Sequence, residues 1–180
     1  MANMACGMVT VQGHKGDILE FTERFISSDE IDNKTTEFGL YFNRSFVYAR
    51  RREIFNEVNG LCSEGISTFE LFVFFAWSAE SCIINVKNND EHISLSDACK
   101  LDGVSVTIHT EECDIEEYIT CDSDGNLNYE CERIPEYECP HCGSVMAIPS
   151  YIRIEENECC ECGKLGLVLL PNDDDESEAA

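Results

Sequence analysis

Alternating apolar and polar residues predict several β-strands in the first 134 residues of the chain. Five stretches either alternate or are dense in aromatic and branched residues: Met8–Gly13, Phe38–Phe42, Ser67–Trp77, Val104–Ile108 and Leu127–Cys131. Such patterns are typical of strands with one buried face or of central strands. The pair Asp124-Gly125 lies before the last of these stretches and predicts a tight hairpin. We expect Trp77 to lie in the core.

Between these predicted strands lie segments whose apolar residues are spaced as in a helix. Ile18, Phe21, Phe25 and Ile26 recur at helical intervals after Asp17, and further helices are predicted over Val47–Val58 and Ile93–Leu101. Gly103 follows the last of these, as glycine often follows a helix C-terminus. The order of elements predicts an α+β fold for residues 1–134, a ferredoxin-like antiparallel sheet with helices on one face.

The strongest motif is a pair of C-x-x-C-G sequences. Cys139, Cys142 and Gly143 form the first, and Cys159, Cys162 and Gly163 form the second, with sixteen residues between the pairs. Tight turns of this kind direct two thiolates at one ion, and four thiolates complete a tetrahedral site. We therefore predict a zinc ribbon over residues 135–171 that holds one structural Zn²⁺, with iron as the competing metal.

The rest of the ribbon follows from the same spacing. The residues between the cysteine pairs predict a small hairpin, and Gly166–Leu170 predicts one more strand. Cys160 would break the two-residue spacing, so it is interpreted as a spare thiol, and we expect His141 to face solvent. A site filled by four thiolates has no open position for water, so its predicted role is structural.

Charge limits the classes of partner. The 12 basic and 36 acidic residues give a formal net charge of -24, and 43% of the residues are hydrophobic. Such a field repels phosphate backbones and anionic membranes. Arg50, Arg51 and Arg52 form the only concentrated positive charge, and neighbouring acids favour an exposed helical face over a phosphate site. Residues 172–180 predict a disordered acidic tail.

No catalytic signature is complete. His109 and Glu111 precede a Cys-x-x-Cys pair, as in nucleobase deaminases, but Pro140 lies inside that pair and the second pair would be unexplained. The sequence around Asp124 lacks the ligand spacing of a calcium-binding EF-hand. No signal peptide or membrane-spanning run is recognisable, so we expect a cytoplasmic protein whose cysteines bind metal or stay reduced.

The first 130 residues resemble a known family. The resemblance rests on "MANMACGMVTVQGHKGDILEFTERF", "FGLYFNRSF", the segment at Trp77-Ser78 and "LDGVSVTIHTEECDIEEYITCDSDGNLNYE". Together these are similar to the YubB-type ferredoxin-like proteins that phages and plasmids carry. The resemblance implies the fold and a mobile-element accessory role, and it implies no active-site residue.

These observations favour a non-enzymatic binding protein. Between Glu111 and Glu138 there are eleven acidic residues and one basic residue, Arg133. We expect an acidic sheet face to bind a protein with a basic surface, competing with nucleic acid for a host nuclease, restriction or defence factor. The residues predicted to form this face are Glu112, Glu116, Glu117, Glu130 and Glu132.

Two alternatives stay open at this stage. A zinc-ribbon adaptor or regulator could contact nucleic acid directly through the Arg50–Arg52 cluster or the ribbon tip, although direct binding is disfavoured by the charge. A structural subunit of a larger assembly also fits the sequence. Oligomeric state does not follow from it.

Overall fold

The structure is a computed structural model that describes residues 4–31, 35–38, 45–83, 93–112, 114–149, 152–154 and 157–171. Residues 39–42 of the predicted strand Phe38–Phe42 and the predicted tail at 172–180 lie outside these residues. The chain divides into two compact units. Unit 1 comprises Met1–Cys113 and Glu117–Cys131, and unit 2 comprises Asp114–Glu116 and Glu132–Ala180.

Helices and strands alternate irregularly over the first 133 residues. The strands are β1 (Met4–Gly13), β2 (Ile26–Ile31), β3 (Thr35–Phe38), β4 (Ser45–Val47), β5 (Ser67–Ala76), β6 (Ser105–Glu112), β7 (Ile115–Cys121) and β8 (Leu127–Arg133). The helices are α1 (Lys15–Phe25), α2 (Arg51–Gly60), α3 (Ala79–Ile83) and α4 (Leu95–Asp102).

The strands form an eight-stranded sheet in the order β2-β3-β4-β5-β1-β6-β7-β8. β1 is antiparallel to both of its neighbours, so that Val9 pairs with Leu71 of β5 and with Ile108 of β6. The pairings of β2 with β3, β3 with β4 and β4 with β5 are antiparallel as well. The predicted α+β class with an antiparallel sheet is therefore confirmed.

The core lies against one face of this sheet. Along β5, Phe69, Leu71, Val73 and Phe75 are buried, whereas Phe72 between them is exposed. The apolar stripe of α1 packs on this face through Ile18, Phe21 and Phe25. Each fully buried side chain of this size stabilises the fold by about 1.5–3 kcal/mol relative to exposure.

Local sequence signals explain how α4 begins and ends. The Ser94 hydroxyl accepts a hydrogen bond from the backbone N–H of Asp97, and Gly103 follows the helix with a φ of 67°. A positive φ at this position favours glycine, which has no Cβ to collide with the carbonyl group. The helix predicted over Ile93–Leu101 is thus present, although it begins two residues later.

Two other predictions need correction. Trp77 is not in the core, because 53% of it is exposed and its φ of 81° turns the chain sharply after β5. The helix predicted from Val47 begins at Arg51 instead, because Val47 pairs with Thr36 as the last residue of β4.

The hairpin between β7 and β8 turns at the predicted site. Gly125 has a φ of 82°, and its N–H donates to the carbonyl of Asp122. The Asp122 carboxylate also accepts hydrogen bonds from the Asn126 side chain and from two backbone amides of the turn. These bonds, above all the one from Asn126, lower the pKa of Asp122.

Unit 2 contains a three-stranded antiparallel sheet. Its strands are β9 (Glu136–Glu138), β10 (Val145–Ala147) and β11 (Val168–Leu169), in the order β10-β9-β11. The predicted strand within Gly166–Leu170 is therefore present. Among the described residues between the cysteine pairs, β10 is the only strand, and its partner is β9, which precedes the first cysteine, instead of the second strand of the predicted hairpin.

A four-cysteine candidate metal centre

Two turns of matching geometry carry the four cysteines. At the first, the N–H of Gly143 donates to the carbonyl of Cys139 at 2.8 Å. At the second, the N–H of Gly163 donates to the carbonyl of Cys159, also at 2.8 Å. Both glycines have a positive φ, 72° and 67°. The C-x-x-C-G sequence thus specifies the same backbone turn twice, since glycine tolerates the left-handed conformation at its end.

The turns bring four sulfur atoms together. The Sγ atoms of Cys139, Cys142, Cys159 and Cys162 all lie within 4.8 Å of one another. The Cys139–Cys162 and Cys142–Cys159 sulfur separations are both 3.6 Å. Four sulfurs at about 2.3 Å from a central zinc ion would lie about 3.8 Å apart. The donor set and its spacing therefore fit a tetrahedral metal ion.

Hydrogen bonds stabilise thiolates at this cluster. The Ser144 hydroxyl lies 3.2 Å from Cys159 Sγ and 3.0 Å from Cys142 Sγ. Donation from Ser144, followed by the backbone amide of Cys162, lowers the pKa of Cys159 to about 6. The same hydroxyl, which has one hydrogen and so donates to one sulfur at a time, also lowers the pKa of Cys142. A deprotonated thiol is the form that binds metal.

The fourth cysteine of the cluster has a raised pKa. The backbone amide of Lys164 favours the Cys162 thiolate, but burial and the other three sulfurs together outweigh it and raise the pKa of Cys162 to about 12. Four neighbouring thiolates repel one another, and a divalent cation at their centre reverses this balance. The cluster is therefore chemically suited to a metal ion.

The cluster is also the centre of a very small hydrophobic core. Cys139 and Cys159 are buried together with Ile148 and Leu167, and four partly buried residues pack around them: Tyr137, Met146, Ile152 and Ile154. A core of this size cannot by itself offset the entropy of ordering its chain. Metal binding can supply the missing stability, as it does in other small metal-binding modules.

The other cysteines that the structure describes lie outside the cluster. None of the eleven cysteines among the described residues forms a disulfide. Cys160 is exposed and lies outside the four-sulfur group, and His141 is exposed as well. The sequence thus predicted which four cysteines lie together, but it did not predict Ser144, whose position two residues after Cys142 gives no signal of its own.

The predicted acidic face divides into exposed and buried residues. Glu130 and Glu132 are exposed on β8, which lies at one end of the sheet order, and Glu112 is partly exposed on β6. Glu116 and Glu117 are only 1% and 3% exposed. The prediction that these last two face a partner is therefore wrong, because their side chains do not reach the surface.

Glu117 has a different role, which the sequence did not reveal. Its carboxylate accepts hydrogen bonds from the backbone amides of Ala79 and Glu80 at the start of α3, at 2.7 and 3.2 Å. It also accepts from the hydroxyls of Thr110 on β6 and Tyr129 on β8. The pKa of Tyr129 is raised, first by burial and then by hydrogen bonding to neighbours that include Glu117.

Residues of the arginine cluster contact other residues of α2. The Arg51 guanidinium lies over the Phe55 ring, 4.4 Å from its centroid, and the Arg50 backbone N–H donates to the Glu53 carboxylate. Arg51 is only partly exposed. This arrangement covers one guanidinium face with an aromatic ring and places acids beside the cluster.

Comparison with known proteins returned no match to a family model, a curated protein or a solved structure. None of the helices within the described residues has the length and apolar character that crossing a membrane requires.

Proposed function

We propose that this chain is a non-enzymatic binding protein that presents an acidic surface to a basic protein partner and contains one structural zinc ion. The observation that carries the proposal is a strongly acidic chain in which, within the described residues, four cysteines form a closed cluster suited to a metal ion. A tetrahedral site with four protein ligands stabilises structure and has no position for a substrate.

Zinc is the metal we propose for the cluster. Four thiolates form a soft ligand set that suits zinc and also iron. The sulfur separations of 3.6 Å are compatible with Zn–S bonds. In a zinc ribbon of this kind, the ion orders residues that have too few apolar neighbours to fold alone.

The ferredoxin-like assignment of the first domain stays a proposal. It is supported by the central strand order β4-β5-β1-β6, in which β1 is antiparallel to both neighbours. With α1 after β1 and α4 before β6, these strands supply a β-α-β-β-α-β series. The helix α2 between β4 and β5 is then an addition, as are the strands β2, β3, β7 and β8.

The proposed partner is a nucleic-acid enzyme, such as a nuclease, restriction or other defence factor that the protein would inhibit in a mobile-element setting. Enzymes of this kind carry basic grooves that bind phosphates. Exposed carboxylates at Glu130 and Glu132, two residues apart on one strand, offer repeated negative charge on one side of β8. Such a surface would compete with nucleic acid for the groove.

The test compares two triple variants of equal charge. Candidate nucleases are immobilised, and binding of the protein is measured at low and at high salt. Replacing Glu112, Glu130 and Glu132 by lysine is expected to weaken binding about tenfold or more, because close charge pairs contribute strongly to docking. Wild-type binding should also weaken steeply with salt.

The control variant replaces Glu20, Glu23 and Glu64, exposed acids elsewhere in the chain, by lysine. It changes the net charge by the same amount and should leave affinity within about threefold of wild type. Equal losses in both variants would show a non-specific effect of net charge. Binding that ignores salt and both substitutions would overturn the acidic-surface proposal.

A second assay separates this function from a nucleic-acid adaptor. Mobility shifts with DNA and RNA at low salt should show no binding by the protein alone. Binding that is lost on Arg50→Glu or Arg52→Glu would favour the adaptor instead.

A further inference from the structure

Unit 1 contains a surface cavity between α2 and β5. Its volume is about 390 Å³. Its apolar floor is formed by Val47, Ile54 and Leu71, which are all buried. This volume is sufficient for one long flexible side chain or a small organic molecule.

Aromatic rings form part of the cavity wall. Tyr48 and Phe74 meet edge to face with ring centroids 5.1 Å apart, and Phe72 meets Phe74 in the same way at 5.2 Å. Tyr48 is 67% exposed and Phe72 is 46% exposed. Solvent-exposed rings grouped around an apolar floor are typical of ligand-binding sites.

Three carboxylates complete the wall. Glu53 and Glu57 lie one turn apart on α2, and Glu70 lies on β5. All three are exposed. Glu53 accepts a hydrogen bond from the Arg50 backbone N–H, so one of its oxygen atoms already has a partner. Among the described residues, no lysine or arginine lines the cavity.

This combination is selective for one ligand chemistry. Aromatic rings attract organic cations through their negative faces, and carboxylates attract the same charge. An anionic ligand would be repelled by the three glutamates, and a neutral apolar ligand would gain nothing from them. An alkyl chain that ends in a cation can contact the floor, the rings and the acids at once.

We propose that this cavity binds an organic cation, an alkylammonium or alkylguanidinium group. The site differs from the four-cysteine cluster and from the acids on β8. It does not rest on the proposed function, because a free cation tests it without a partner protein. The same chemistry occurs on a lysine or arginine side chain and on a free polyamine, and the experiment separates these sources.

The experiment is an NMR titration of the ¹⁵N-labelled full chain. The probes are n-butylammonium and n-butylguanidinium, with n-butanol as the uncharged control of matched size. Both cations are expected to shift the amide signals of residues at the cavity in a saturable way, in the millimolar range. n-Butanol should shift them at least about tenfold more weakly, since it lacks the charge that the rings and acids recognise.

Variants locate the site. Joint replacement Glu57→Gln and Glu70→Gln keeps size and polarity, and it should weaken cation binding about tenfold. Phe72→Leu removes a ring from an exposed position and should weaken it as well. Glu64→Gln, an exposed acid outside the cavity lining, should have no effect. Because the replaced glutamates are exposed, the spectra of the Gln variants should otherwise match those of wild type.

Two further ligands identify the source of the cation. A capped Gly-Lys-Gly tripeptide that binds more tightly than n-butylammonium would assign the cavity to a protein side chain, and tighter binding of spermidine would assign it to a free polyamine. Equal shifts with n-butanol, binding unchanged in the Glu57→Gln, Glu70→Gln variant, or no saturable shift with either cation would each overturn the proposal.

Discussion

Glu117 joins α3, β6 and β8 to its own strand, β7, through one buried carboxylate. Four donors converge on its two oxygen atoms: the amides of Ala79 and Glu80 and the hydroxyls of Thr110 and Tyr129. A buried carboxylate with this many donors is satisfied, so it stabilises the fold instead of destabilising it.

Glu117→Gln should therefore destabilise unit 1. The amide group of glutamine has a single acceptor atom and would turn an N–H₂ group toward donors that the carboxylate now accepts. We expect a loss of about 2–3 kcal/mol in the free energy of unfolding. Tyr129→Phe removes only one donor and should cost about 1 kcal/mol. Urea denaturation measures both losses. A loss in Glu117→Gln that is no larger than the loss in Tyr129→Phe would contradict this role.

Trp77 offers a second test at this scale, because its φ of 81° is unusual for any residue other than glycine. Trp77→Gly and Trp77→Ala both remove the half-exposed ring, but only glycine adopts this conformation without strain. The Gly variant should be about 1 kcal/mol more stable than the Ala variant. An Ala variant that is equally stable would show that the turn relaxes at no cost.

The sequence predicted some residue roles well and others poorly. Cys139, Cys142, Cys159 and Cys162 were predicted because ligand spacing along the chain determines the turn geometry. Glu116 and Glu117 were misplaced because the density of acids along the chain does not give the direction of each side chain. Adjacent strand residues normally face opposite sides of a sheet, so the two could not both lie on one exposed face, and in the structure both are buried. Only the packing of α3 and β8 around β7 explains the burial of Glu117.

At the scale of elements, long periodic segments were predictable and short ones were not. β1, α1, β5 and β6 each carry a clear hydrophobic period over many residues. β4 has three residues and no period of its own, and its pairing with β5 is set by the tertiary fold. The pairing of β4 with β3, in which Val47 is opposite Thr36, explains why α2 begins later than its sequence predicted.

The small sheet β10-β9-β11 should depend on the metal. Its core comprises Cys139, Cys159, Ile148 and Leu167, so removing the ion would leave too little buried surface to hold it. Chelation should reduce the hydrogen-exchange protection of the Gly143 and Gly163 amides by at least about a hundredfold. Amides of β1 and β5 should keep their protection.

Adding Zn²⁺ back serves as the control and should restore slow exchange at both glycines. Protection at Gly143 and Gly163 that survives complete removal of metal would show that unit 2 folds without an ion. A simultaneous loss throughout β1 and β5 would show that the metal stabilises the whole chain instead.

At the scale of the whole molecule, the strand order could not be predicted from the sequence. β1 pairs with β5 and β6, which follow it by more than fifty residues, and no local pattern encodes such pairings. The excess of acidic over basic residues, by contrast, can be read directly from the sequence. It indicates the charge of a binding partner and says little about the fold.

The central claim is that one metal ion is held by Cys139, Cys142, Cys159 and Cys162. Native mass spectrometry of the intact chain, purified without added metal, measures this directly. The predicted spectrum shows a mass increase that corresponds to one Zn²⁺ per chain, lost in Cys139→Ser and kept in Cys160→Ser. A chain without bound metal, or a Cys139→Ser variant that keeps its ion while Cys160→Ser loses it, would contradict the account.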